Sequence, residues 1–138
     1  VMARKQRGLE KFKPRQPLQW LEKLKTRRNE KGKLVADAEQ FAVVNEVACT
    51  VMEEIDSTAK DDAHVGEPLR KLVHGGPGTG KTHVIKLIKE LFEDILSWQH
   101  VIHFQVVAFQ AVMAHLIDGD TIHHALGIPV FAMPTNGY

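Results

Sequence analysis

The sequence predicts an α/β fold, a parallel sheet with flanking helices. Three observations carry that expectation. A glycine-rich loop, "GGPGTGKT" from Gly75 to Thr82, joins a short apolar run, "LRKLVHG" (Leu69 to Gly75), to a long amphipathic stretch. In that stretch Val84, Ile85, Leu87, Ile88, Leu91, Phe92, Ile95 and Leu96 recur at helical spacing, in the wide stripe of a helix packed on a sheet. A second apolar run, "HFQVVAF" (His103 to Phe109), then reads as another buried strand. Strands alternating with helices argue for a parallel sheet.

The loop carries the chemistry. Gly75, four intervening residues, then Gly80, Lys81 and Thr82 fit G-x-x-x-x-G-K-[ST] without a mismatch. A polyphosphate has to lie against main-chain N–H groups, and an inward Cβ would block it. Gly75, Gly76, Gly78 and Gly80 remove those Cβ atoms and permit positive φ. The cradle is thus expected to run through Gly75, Gly76, Pro77, Gly78, Thr79, Gly80, Lys81, Thr82 and His83, an anion nest ending on a helix N-terminus. Lys81 supplies a mobile charge for the β/γ-phosphates, and the Thr82 hydroxyl is placed to ligate Mg²⁺. ATP and Mg²⁺ are the expected ligands, with Lys81 and Thr82 the candidate catalytic residues. The plainer reading is a glycine-rich turn with an incidental lysine. The strand–loop–helix context speaks against it.

Composition sets outer limits. A chain of 138 residues, 43% apolar and 25% charged, suits one soluble globular domain at most. Its one cysteine, Cys49, excludes an internal disulfide and fits a reducing compartment. No apolar run approaches the ~18 residues a membrane span requires, so no membrane partner is expected. The basic N-terminus lacks the apolar core of a secretory signal. Met2 stands second, behind Val1, which suggests a true start further upstream.

The net charge of +1 conceals an asymmetry. Residues 1–33 hold twelve Lys/Arg against three Glu, a balance of +9, while residues 34–138 carry −8. The basic block interleaves Phe12 and Trp20 with its charges. It is read as a flexible segment with a boundary at "KGK" (Lys31 to Lys33), helical at most from Leu18 to Arg28. A phosphate-backbone tracker and a nuclear address are the functional alternatives.

Beyond the boundary, Phe41, Val44, Ala48, Val51 and Ile55 step by three and four, an amphipathic helix with Asp37 as its candidate N-cap. Gln40, near its start, is by composition an exposed helix residue. The eight histidines offer no closed four-ligand zinc set, since His123 and His124 diverge by about 100° on a helix. Trp98 and Phe131 suit packing better than base stacking, each standing alone among apolar neighbours.

Three pieces in order are more specific than the loop by itself. "ADAEQFAVVNEV" precedes "LVHGGPGTGKTHVI", and "FQVVAFQAVMAHLIDGDTIHHALGIP" follows it. Together they resemble the Pif-type DNA helicases of superfamily one, including the helicase modules of Helitron-type transposons, over about residues 34–131. The resemblance implies a P-loop NTPase (RecA-like) core. It also implies ATP hydrolysis coupled to DNA unwinding, 5′-to-3′, in repair, recombination or telomere maintenance. An intracellular setting follows, the nucleus ahead of the mitochondrion, with single-stranded DNA or DNA junctions as partners. A glutamine in the family's leading helix reads adenine, which would fall on Gln40. The family's glycine-threonine-isoleucine-histidine segment near DNA looks like Gly119 to His123 with Asp120 inserted, which brings in Thr121 and His123.

Two departures stand beside the likeness. Where the family shows alanine-proline-threonine-glycine after its second strand, this chain has Ala108, Phe109, Gln110 and Ala111, leaving Gln110 as the candidate phosphate contact. No apolar strand ending in Asp-Glu follows Thr82, and no arginine follows Arg70. Asp118 and Asp120 are read as loop residues. The chain therefore reads as the ATP-binding front part of a truncated motor domain, inactive as a hydrolase by itself. The alternatives are a non-hydrolysing nucleotide or nucleic-acid binding fragment, or another P-loop ATPase.

Overall fold

A computed structural model describes residues 16–59, 67–75 and 80–129, and the chain divides into two compact units, Val1–Gln99 and His100–Tyr138. In the first unit, helix α1 (Gln16–Thr26) and helix α2 (Ala38–Ala59) precede helix α3 (Lys81–Glu90), which continues as a π-helical turn over Leu91–Ile95. Trp20, Leu21 and Leu24 of α1 meet Val44 and Ala48 of α2 and Val84, Leu87 and Leu91 of the third helix in one buried core. The stripe read from Phe41, Val44 and Ala48 faces that core, with Phe41 packed against it.

The second half of the basic segment is folded. Its helix lies close to the Leu18–Arg28 stretch the sequence allows, and the chain stays structured through Lys33, contrary to the flexibility expected there. Its apolar residues Trp20, Leu21 and Leu24 share one helical face, and Leu24 is 0% exposed. Charge balance counts the outward lysines and misses the inward face. "KGK" is likewise a tight turn. Asn29 Oδ1 accepts from the Lys31 and Lys33 N–H groups at 3.0 Å each, Gly32 takes φ 74°, and Arg28 and Leu34 form an antiparallel bridge. The first half of the basic block, residues 1–15 with Phe12 among them, lies outside the described residues, as does Phe131.

A charged node ties α1 to the far end of α3. Glu90 accepts from Arg27 Nη1 at 2.6 Å and Nη2 at 3.0 Å, and from Trp20 Nε1 at 3.0 Å. The bidentate Arg27 fork holds the Glu90 carboxyl below its usual range, against the opposing effect of burial and with help from the Trp20 bond. A lowered folded-state pKa contributes stability that is full above the unfolded value, near 4.3, and is lost as pH falls through the folded value. Glu90→Gln should accordingly flatten the fall of first-unit stability below about pH 4.3, read by denaturant titrations at stepped pH. An unchanged acid slope would show that the node does not stabilise the fold through its charge.

The expected strand Leu69–Gly75 is absent. Residues 67–75 carry no regular structure, and Leu72 is 83% exposed. A strand requires a hydrogen-bonded neighbour, and no described segment pairs with this one. Instead Lys71 forms an ion pair with Glu46 on α2. The long helix predicted through Leu96 forms, but its end is π-helical, with Leu96 N–H bonded to Leu91 O at 3.0 Å. Trp98 packs on Phe92, ring centroids 5.1 Å apart.

The second unit is a small strand–helix–strand–helix. Strand β1 (Val107–Ala108) pairs in parallel with β2 (Asp120–Thr121) across helix α4 (Ala111–Leu116), and helix α5 (Ile122–Leu126) follows. The buried strand expected over His103–Phe109 thus shrinks to two residues, because its partner β2 is only that long, and Phe109 is exposed. Asp120, read from sequence as a loop residue, lies in β2. The turn before it explains the register. Asp118 takes φ 48°, its N–H bonds His115 O at 3.2 Å, and Gly119 N–H bonds Ala114 O at 2.9 Å, closing α4 in a Schellman motif. Gly119 is required by close approach, since a Cβ there would lie 2.5 Å from Val106 O. Among the described residues, no helix is long and apolar enough to cross a membrane.

Candidate nucleotide-binding site

Among the described residues, no side chain caps the N-terminus of helix α3. Its N-cap is Gly80, at φ 84°, with no side-chain cap. Most helices satisfy their first N–H groups with a Ser, Thr, Asp or Asn side chain. Here the first N–H returning to Gly80 O is that of Val84, at 3.2 Å, so the N–H groups of Lys81, Thr82 and His83 precede the intrahelical ladder. That end also carries the positive pole of the helix dipole. Only glycine adopts φ near +84° without strain, so the motif's second fixed glycine has a local cause.

Lys81 Nζ donates to Gly75 O. Both ends of the glycine-rich loop thus meet at one cation. Gly76, Pro77, Gly78 and Thr79 lie outside the described residues. The His83 ring turns away and bonds Val35 O, tying the start of α3 to the chain before α2. His83 can therefore serve the cradle through its main-chain N–H only.

Gln40 stands beside this helix end. Its Nε2 donates to Gly80 O at 3.3 Å, and its Oε1 accepts from Asp37 N–H at 3.0 Å. Asp37 Oδ1 accepts in turn from Gln40 N–H at 2.8 Å, which completes a capping box at the start of α2. A cleft of about 340 Å³ opens here, lined by Glu39, Gln40, Val43, Gly75, Gly80, Lys81 and Val84 and by Lys71–His74. Its size falls in the range of small-molecule sites. The "DAEQ" spacing carries the capping-box signature in the sequence, whereas the lining by Lys71 and His74 has no local signal.

The second unit holds the remaining candidates. Gln110 is the exposed N-cap of α4, at φ −103° and ψ 141°, so the strand-to-helix turn forms without the proline and glycine of the resembled family. Thr121 Oγ1 caps α5 by accepting from His124 N–H at 3.2 Å. The His123 ring lies against Phe109, centroids 5.8 Å apart, while His124 Nδ1 pairs with Asp120 Oδ1 at 2.9 Å. Thr121, His123 and Asp120 all have local structural partners. Among the described residues, no group of three His, Cys, Asp or Glu could hold a metal ion.

No protein-family model, curated protein or solved structure matches the chain.

Proposed function

We propose that the chain is a P-loop nucleotide-binding segment that holds ATP with Mg²⁺, and that it belongs to an ATP-dependent DNA helicase of the Pif type. The observation that carries the nucleotide reading is the start of α3. A glycine N-terminus without a side-chain cap, with Lys81 bonded to Gly75 O, supports binding of a polyphosphate at this end. The residues fit the ligand. The N–H groups of Lys81, Thr82 and His83 would receive phosphate oxygens, the Lys81 ammonium would offset their charge, and the Thr82 hydroxyl would face the Mg²⁺. Gln40 stands beside them, its amide bonded to Gly80 O. ATP supplies the phosphoanhydride whose cleavage would drive translocation on single-stranded DNA.

The helicase part rests on the order of the sequence segments, "GDTIHHALGIP" above all, because loaders and kinases have no reason to carry it. Asp120 is engaged with His124, and no arginine follows Arg70. A transition-state arginine is worth about 10³–10⁵ in rate, so the chain by itself should bind ATP and show no DNA-stimulated turnover. Phosphate release with and without single-stranded DNA tests this. Robust stimulated release, lost on Lys81→Ala, would mean that a catalytic acid lies within these residues, with Asp118 and Asp120 first to substitute.

A further inference from the structure

We propose that Gln40 is a positioning residue that latches Gly80 at the start of α3, and that its amide helps to fix the direction of the first N–H of the anion site. The proposal rests on the nucleotide reading above. Only one orientation of the amide suits both its neighbours, because Gly80 O can only accept and Asp37 N–H can only donate. Both polar atoms of the side chain are therefore committed, one to α2 and one to the loop.

The bond to Gly80 O has a geometric consequence. The peptide joining Gly80 to Lys81 is planar and trans, so its C=O and N–H point in opposite directions. Gly80 O also accepts the first ladder bond of α3, from Val84 N–H, so the Gln40 bond is a second hold on this carbonyl, from α2. The Lys81 N–H on the same peptide points the opposite way. Gly80 has no side chain to do this itself, and its φ of 84° lies in a region glycine leaves freely. The contact is close, since a Cβ on Gly80 would overlap Gln40 Nε2. The capping box at the other end keeps the Gln40 side chain from swinging off. The first turn of α2 is thereby the anchor for the first turn of α3.

A latch acts on phosphates and is blind to the base. Gln40→Met, which removes the amide at similar length, should weaken ATP, GTP and inorganic tripolyphosphate by the same factor, about five- to tenfold. Asp37→Ala removes the cap but keeps the main-chain N–H that holds Gln40 Oε1. It should lower the melting temperature and leave tripolyphosphate affinity unchanged. Titration calorimetry of the full chain, at a temperature where circular dichroism shows each variant folded, gives both readouts. Should Gln40→Met not fold, Gln40→Asn keeps an amide one methylene short of Gly80 and should show the same uniform weakening. Weakening confined to ATP would overturn the latch and make Gln40 a base reader, with the nucleotide reading intact. Lost stability with unchanged affinities would overturn it in favour of a helix cap alone. If the unaltered chain binds none of the three, the nucleotide reading fails and the latch fails with it.

Discussion

Lys81→Ala should abolish nucleotide-dependent stabilisation of the chain. A ligand that binds only the folded state at a hundred times its dissociation constant stabilises it by about 2.7 kcal/mol. The substitution removes the side-chain cation that bonds Gly75 O, while Gly80 and the helix behind it keep their geometry. Lys81 is only partly buried, so the fold itself should hold. The check is thermal unfolding with and without ATP·Mg²⁺. An equal nucleotide shift in the variant would place the phosphates at some other site.

Removing residues 1–33 should unfold the first unit, whereas removing residues 1–15 should not. The longer truncation deletes Trp20, Leu21 and Leu24 from the core and strips Glu90 of both donors. Each buried side chain of this size contributes about 1.5–3 kcal/mol, and together they rival a domain's whole stability of about 5–15 kcal/mol. Circular dichroism of the two truncations decides the point, since a cooperative transition in the longer one would make α1 dispensable. The shorter truncation is also the clean probe of the basic terminus. It removes six of the twelve basic residues in the block and none of the core residues among those described. If that terminus holds DNA phosphates, affinity for single strands should lose salt dependence by about 0.7 in log–log slope per contact removed.

What the sequence makes legible follows from how local each signal is. The glycine at the start of α3, the α2 stripe and the Asp37 cap depend on residues within one or two turns, and their periods and types announce them. The Glu90 node joins Trp20 and Arg27 to a residue more than sixty positions away, which no local pattern encodes. Asp120 reads as loop because β2 is two residues long and is fixed by the Schellman turn at Asp118 and the approach of Val106 to Gly119. The run at Leu69–Gly75 misleads in the other direction. Apolar composition marks a segment able to pair, but pairing also needs a neighbour. Gln40 shows the remaining gap. Resemblance suggests its place beside the loop, while its bond to Gly80 and its part in the capping box emerge only when α2 and α3 are set side by side.

The contact between Lys81 and Gly75 has an energetic side of its own. A free lysine side chain surrenders about 1.5–2 kcal/mol of rotamer entropy when it is ordered. In a flexible site that loss falls on binding and subtracts from affinity. Here the ammonium is already held by a carbonyl of the loop, so the loss falls on folding. An arriving phosphate would exchange one oxygen acceptor for a more highly charged one, around a lysine whose conformation is largely chosen in advance.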